Sequence, residues 1–274
     1  MNTITPVDLN KDQFPTLDSM MAHFYEHFKV VVANTHKLQE EVYKIRYQVY
    51  CQELGYELEE DCPNGMEQDI FDQRSVHCLL LHRASGHYAG CVRLVLPELH
   101  EGNTNLPFER VYGGVSESNI KEVKNLSRHS FGEVSRLAVT AEFRKRSGEA
   151  QTSHGVSALA SKAVQNDEKR HFSLIAVGLY LAATSVAIEL GLESALSLME
   201  PRLARHLRRF GIEFHQIGEF IEFHGQRGLF QVSRSGVLDG MNNNSYKLFQ
   251  LLSSDIKKSL SPSFLCPHHS PAAA

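Results

Sequence analysis

The stretch GEVSRLAV, residues 132–139, sets a glutamate, a serine and an arginine into a run that otherwise builds a buried strand. Val134, Leu137 and Val139 have the bulk that suits a pleated, core-facing surface. Such a strand has no packing need for Glu133 or Arg136, because an ionisable group withdrawn from water is costly unless it is paired. Strand alternation sends Glu133 and Ser135 to one face and Val134 and Arg136 to the other. The segment therefore reads both as the centre of a sheet and as part of a site.

Working outward, FKVVVAN (28–34) predicts an opening strand. HKLQEEVYKIRYQVYCQELG (36–55) carries Val42, Ile45 and Val49 at helical spacing and stops at Gly55. VHCLLLHR and YAGCVRLVLPE read as two strands joined by ASGH, a hairpin. Downstream, a basic glycine-containing turn and a polar segment (149–172) precede an apolar helix, SLIAVGLYLAATSVAIELG. ESALSLM then predicts a buried strand, and EPRLARHLRRFG a short basic helix with Pro201 at its start and Gly211 at its end. FHQIGEFIEFHG and RGLFQVS predict a second hairpin, and a helix near 243–260 closes the pattern. The expected architecture is α/β, a mixed central sheet flanked by helices. Residues 25–260 form the domain, 1–24 an N-terminal extension and 261–274 a tail.

Composition narrows the function. With 274 residues and 42% apolar content, the chain can bury a large core. A net charge of −4 and a pI near 6.4 give no basic stripe of the kind nucleic-acid binding needs. No basic leader with an apolar core opens the sequence, and no apolar run reaches about eighteen residues, so a cytoplasmic protein is expected. The five cysteines lack CxxC spacing and read as reduced thiols. The fifteen histidines lack metal-ligand spacing and read mostly as solvated, so no metal site is expected.

The order strand, helix, hairpin, long strand, helix, strand, helix, hairpin is that of the Gcn5-related N-acyltransferase (GNAT) fold. Within it, Arg46 is followed by Tyr50 and Tyr56, EQDIFD supplies Asp69 and Asp72, GCVRLV supplies Arg93, and GEVSRLAV supplies a Glu-x-Ser-Arg motif through Glu133, Ser135 and Arg136. Together, across residues 28–235, this constellation resembles the acyl-homoserine lactone (autoinducer) synthases. More closely, it resembles the N-acyl amino acid synthases associated with PEP-CTERM/exosortase systems. The resemblance implies transfer of a long-chain fatty acyl group from acyl carrier protein (ACP) to the α-amino group of an amino acid. It implies no permanently bound cofactor and a product able to partition into a membrane. A carboxylate in a strand core holds its proton tightly, which suits Glu133 to take one from an attacking ammonium. The same residues also suit a buried ionic network that only fixes the fold, and for Asp69 and Asp72 a solvated loop is an equal alternative. The resemblance assigns Arg46 and Arg93, with Tyr50 and Tyr56, to orienting and substrate binding.

FRKRSGEA (143–150) stands where related acyltransferases hold the cofactor's pyrophosphate on a glycine-containing loop. Lys145, Gly148 and Ala150 keep the register, but the apolar helix is delayed by about twenty residues. A loop poorly formed for coenzyme A still suits ACP, whose arm carries one phosphate. Arg144, Lys145 and Arg146 are then expected to meet the donor, with Arg202, Arg205, Arg208 and Arg209 as further contacts for an acidic carrier. Acyl-CoA is the second donor. The 149–172 segment reads as a lid or as a plain loop. Leu207 stands where many acetyl-CoA-dependent relatives have a tyrosine acid for the leaving thiolate. A short-chain acetyl-CoA N-acetyltransferase and a non-catalytic module binding ACP or lipid are the alternatives.

Overall fold

A computed structural model describes residues 24–97, 105–113, 123, 126–144 and 174–260. Its frame is an eight-stranded sheet. The strands are β1 (Phe28–Val32), β2 (Ser75–His82), β3 (Tyr88–Val95), β4 (Phe131–Val139), β5 (Ser194–Met199), β6 (His215–Gln216), β7 (Ile221–Glu222) and β8 (Gln226–Ser233). They run β1-β2-β3-β4-β5-β8-β6, with β7 also on β8. Every pairing is antiparallel except β4–β5. This is the GNAT architecture that the sequence predicts. The second predicted hairpin is more broken than expected, its first arm reduced to the two-residue strands β6 and β7.

Helices cover both faces. The first, α1 (His36–Arg46), is capped by the Thr35 hydroxyl and continues as a π-helix over Tyr47–Glu53. A short α2 (Pro107–Tyr112) follows β3. Next come α3 (Ile175–Glu189), α4 (Pro201–Arg208), α5 (Arg234–Gly240) and α6 (Asn243–Ser259). Residues 175–187 of α3 are all buried, as expected of a helix apolar on every side. It is held between the sheet and α6. Neither α2 nor α5 was evident from sequence periodicity, each being too short to show one. The predicted extensions (1–24 nearly whole, and 261–274) and the 149–172 segment lie outside the described residues.

Two irregularities of β4 shape the site. Its parallel pairing with β5 covers only Phe131–Glu133 against Ser194–Leu196, after which the strands part. The Ser197 hydroxyl donates to the Val134 carbonyl at 2.9 Å, where the ladder stops. On the other edge, Ser135 pairs with Arg93 and Ala138 with Cys91, so Arg136 and Leu137 share one position opposite Val92. This is a β-bulge, with Arg136 at φ +50°. The extra residue resets the alternation. Leu137 and Val139 join Val134 in the core against α3, while Arg136 follows Ser135 into the opposite cleft. The expectation that Arg136 faces away from Glu133 is thereby corrected.

Gly90 lies across from the end of this bulged strand, and a Cβ there would sit 2.3 Å from the Ala138 carbonyl oxygen. Gly90→Ala is expected to cost about 1–3 kcal/mol through forced separation of β3 and β4, read as a lowered midpoint in urea denaturation with an unchanged slope.

Candidate active site

The floor of the cleft is an ionic network. Arg46, fully buried at the end of α1, donates its Nε to Glu67 Oε2 and its NH1 to Asp72 Oδ1, the latter at 2.6 Å. Arg93, fully buried on β3, donates NH1 to Asp69 Oδ1 (2.6 Å) and Asp72 Oδ1 (2.7 Å), and Nε to Ser135 Oγ (3.1 Å). Arg136 reaches Glu57 and Glu67 at 3.1 Å and Asp69 at 3.4 Å. The acids are themselves fixed: the Asp69 amide donates to Asp72 Oδ2, and the Glu67 amide to the Tyr43 carbonyl. Burial alone would raise their pKa values, but the guanidinium groups win, holding Glu67 down at about 2 and Asp72 well below the usual carboxylate range. His77 lies beneath, 3.5 Å from Asp72. Burial and Arg46 push it down to about 3, so it is a neutral core imidazole and an exception to the expectation of solvated histidines.

One wall comes from the π-helix. Its wider turn carries Tyr50, whose hydroxyl donates to the Leu137 carbonyl at 2.8 Å, across the bulge. Gly55, at φ +62°, lets the chain fold back so that the Tyr56 amide reaches the Tyr50 carbonyl. Tyr56 and Glu57 then hang over the cleft, and the Tyr56 ring stacks on His224 at 4.4 Å. Arg136 lies over the Tyr50 ring.

Glu133 stands apart from the network. It is almost wholly buried, and its Oε2 accepts the Phe108 amide at 2.9 Å. Among the described residues no guanidinium makes a salt bridge with it, and burial outweighs the Phe108 amide and the charges of Arg93 and Arg136 to push its carboxyl up to about 8. One buried acid in the cleft thus has a raised pKa while Glu67 and Asp72 are fixed as anions, which makes Glu133 the candidate for acid–base work.

The structure brings Tyr50, Tyr56, Asp69, Glu133, Ser135 and Arg136 to the lining of one cavity of about 270 Å³. Arg46, Arg93 and Asp72 lie beneath its lining and orient it. Arg144 departs from expectation: it is buried, with its guanidinium on Glu53 at the end of the π-helix, so it braces that helix and is not presented to a donor. Lys145, Arg146, Gly148 and Ala150 lie outside the described residues. Leu207 is a core side chain. Missed in the sequence were Glu57, Glu67, the Phe108 amide, His224 and Arg227; Glu67 had a signal, as the first residue of the EQDIFD stretch that yielded the aspartates. Among the described residues no three His, Cys, Asp or Glu side chains are placed to hold a metal ion.

Residues 45–153 match the model of the acetyltransferase (GNAT) domain, a span that contains every member of the ionic floor. Over that stretch the chain is similar to the acetyltransferase (GNAT) domain. No curated protein matches it in sequence. Among solved structures, the AHL synthase LasI matches at a TM-score of 0.51 and 15% identity, covering 79% of this chain and 97% of its own. FeeM, an N-acyl amino acid synthase from uncultured soil microbes, matches at 0.50 and 12%, covering 80% and 96%. BjaI, a CoA-dependent acyl-homoserine lactone synthase crystallised with SAM and isopentyl-CoA, matches at 0.50 and 14%, covering 83% and 89%. Identities this low establish a common fold.

Asp72 is the acid shared by the fully buried Arg46 and Arg93. Asp72→Asn leaves their charge partly uncompensated and is expected to cost about 3–5 kcal/mol, measured as a loss of unfolding free energy in denaturant.

Proposed function

We propose that this domain transfers a long-chain fatty acyl group from the phosphopantetheine thioester of ACP to the α-amino group of an amino acid. The observation that carries the reading is Glu133, a carboxyl pushed up to about 8 in a cleft whose other buried acids are held by arginines. As a carboxylate, Glu133 takes a proton from the acceptor's ammonium, directly or through one water. The freed amine attacks the thioester carbonyl carbon. Main-chain amides of β4 near residues 137–139, beyond the point where β5 has parted from it, hold the resulting oxyanion. The C–S bond then breaks with the electron pair leaving on sulfur, the nitrogen's remaining extra proton passes to that thiolate, and the carrier departs as the thiol. A thiolate leaves without strong acid assistance, so Leu207 in place of a tyrosine is compatible with this chemistry.

The fold shared with LasI and with FeeM supports an acyl donor and an amine acceptor of this kind. The α4 face supports an acidic carrier: Arg205, Arg208 and Arg209 are exposed there, Arg208 beside Glu213 and Arg202 beside Glu200. Acyl-CoA is the second donor on this reading, favoured by the fold shared with a CoA-dependent synthase. The reading carries with it a catalytic domain over 25–260, a cytoplasmic enzyme and the exosortase-associated subgroup. Among the described residues no helix is long and apolar enough to cross a membrane.

Incubation with long-chain acyl-ACP, matched acyl-CoA and a mixture of amino acids, read by mass spectrometry, is expected to give an N-acyl amino acid from acyl-ACP. Acylation from short acyl-CoA alone would replace the reading with an ordinary acetyltransferase, and donor binding without product would replace it with a binding module. In the enzyme that makes the amide, kcat/KM should rise with pH through about 8 as Glu133 ionises. Glu133→Gln should lower kcat by about 10²–10⁴-fold and abolish that rise.

A further inference from the structure

The arginines of the cleft are not equivalent. Arg46, Arg93 and Arg136 are each held by carboxylates of the floor, and Arg110 lies over the Phe71 ring. Arg227 enters from another wall, at the start of β8, where it pairs with Ile221 of β7. Alternation puts it on the same face as Leu229, which belongs to the core cluster of Phe131 and Leu196, and it lines the cavity that contains Glu133. Its Nε is shielded from solvent and has no hydrogen-bond partner. Among the described residues no carboxylate pairs with it. A guanidinium stays charged under any folding condition, and an N–H without an acceptor is costly away from water. An arginine kept in such a place fits a bound anion.

The surroundings say which anion. Burial, together with the positive charges of Arg227 and Arg136, holds the neighbouring His224 below its ordinary pKa, so this side of the cleft is cationic. Glu57, Asp69 and Glu133 line the same cavity and supply its acids. A cleft lined both by an arginine that no carboxylate of the described residues holds and by acids suits a ligand that bears an ammonium and a carboxylate together. A simple amine lacks the anion, and the donor's phosphate comes without a cation. The planar fork of a guanidinium also matches a carboxylate through two parallel hydrogen bonds.

Resting on the amide-forming reading above, we infer that Arg227 anchors the α-carboxylate of the acceptor amino acid, and so selects amino acids over amines. The test compares an amino acid that the wild-type enzyme acylates with the amine left by its decarboxylation, in the wild type, Arg227→Gln and Arg227→Lys. Wild type should prefer the amino acid in kcat/KM. Arg227→Gln should raise the amino acid's KM about 10–100-fold, move the donor KM and the kcat/KM for the amine far less, and so collapse the preference. Arg227→Lys should restore part of it. An unchanged preference in a folded Arg227→Gln would overturn the inference, as would a rise confined to the donor KM, which would assign Arg227 to the donor's phosphate. A preference lost equally in Arg227→Gln and Arg227→Lys, together with activity toward the amine, would mean a structural role and also overturn it. Wild type that acylates no amino acid would instead remove the underlying reading.

Discussion

Everything in the cleft depends on compensating two guanidinium groups that have no contact with water. Arg46 and Arg93 are among the largest fully buried side chains of the described residues, and neither is tolerable without anions at hydrogen-bond distance. Asp72 meets both, Glu67 meets the first and Asp69 the second. These contacts order the 67–72 loop under the cleft, and Glu67 and Asp69 then hold Arg136 from below. A hydrophobic floor of equal volume would be at least as stable. What the ionic floor provides is fixed directions for Ser135, Asp69 and Arg136, which an apolar floor would leave without partners.

The bulge in β4 converts that floor into a cleft. With regular pairing, Arg136 would point into the α3 core, and the chain would carry an unpaired charge among Leu and Val side chains. One extra residue, at the cost of a positive φ for a non-glycine, turns it toward Glu67 and leaves the Leu137 carbonyl to accept the Tyr50 hydroxyl. The same strand parts from β5 on its other edge, so one nine-residue strand presents both Glu133 and a gap beside it. The π-helix serves the same end from above, since Tyr50 comes from its widened turn.

Much of this was legible from residue types set against their context. Glu133, Arg93 and Arg46 stand out because strands and amphipathic helices rarely bury such groups, and the order of elements along the chain followed from apolar runs and turn residues. The facing of Arg136 was not legible, because a bulge is a property of the β3–β4 pairing, and alternation within β4 alone gives the wrong face. Glu67 was passed over because it precedes the two aspartates with nothing local to say that it is buried. The Phe108 amide is backbone and leaves no trace in residue identity. Arg227 follows a turn in which His224 and Gly225 both take positive φ, and only its pairing in β8 shows that it turns inward. Arg144 looked like surface charge in a basic run, and only the tertiary contact with Glu53 shows otherwise.

The two kinds of acid in the cleft set folding and chemistry against each other along the pH axis. Glu67, held down at about 2, contributes stability that is fully present above its unfolded value of about 4.5 and is lost as the solution is acidified through 2. Glu133, pushed up to about 8, contributes stability that is fully present below about 4.5 and drains away as the pH rises through 8. Between them the site is firmest in mildly acid solution, whereas Glu133 is ionised only on the alkaline side. Any proton that Glu133 gives up is therefore given up on the falling slope of the protein's own stability curve.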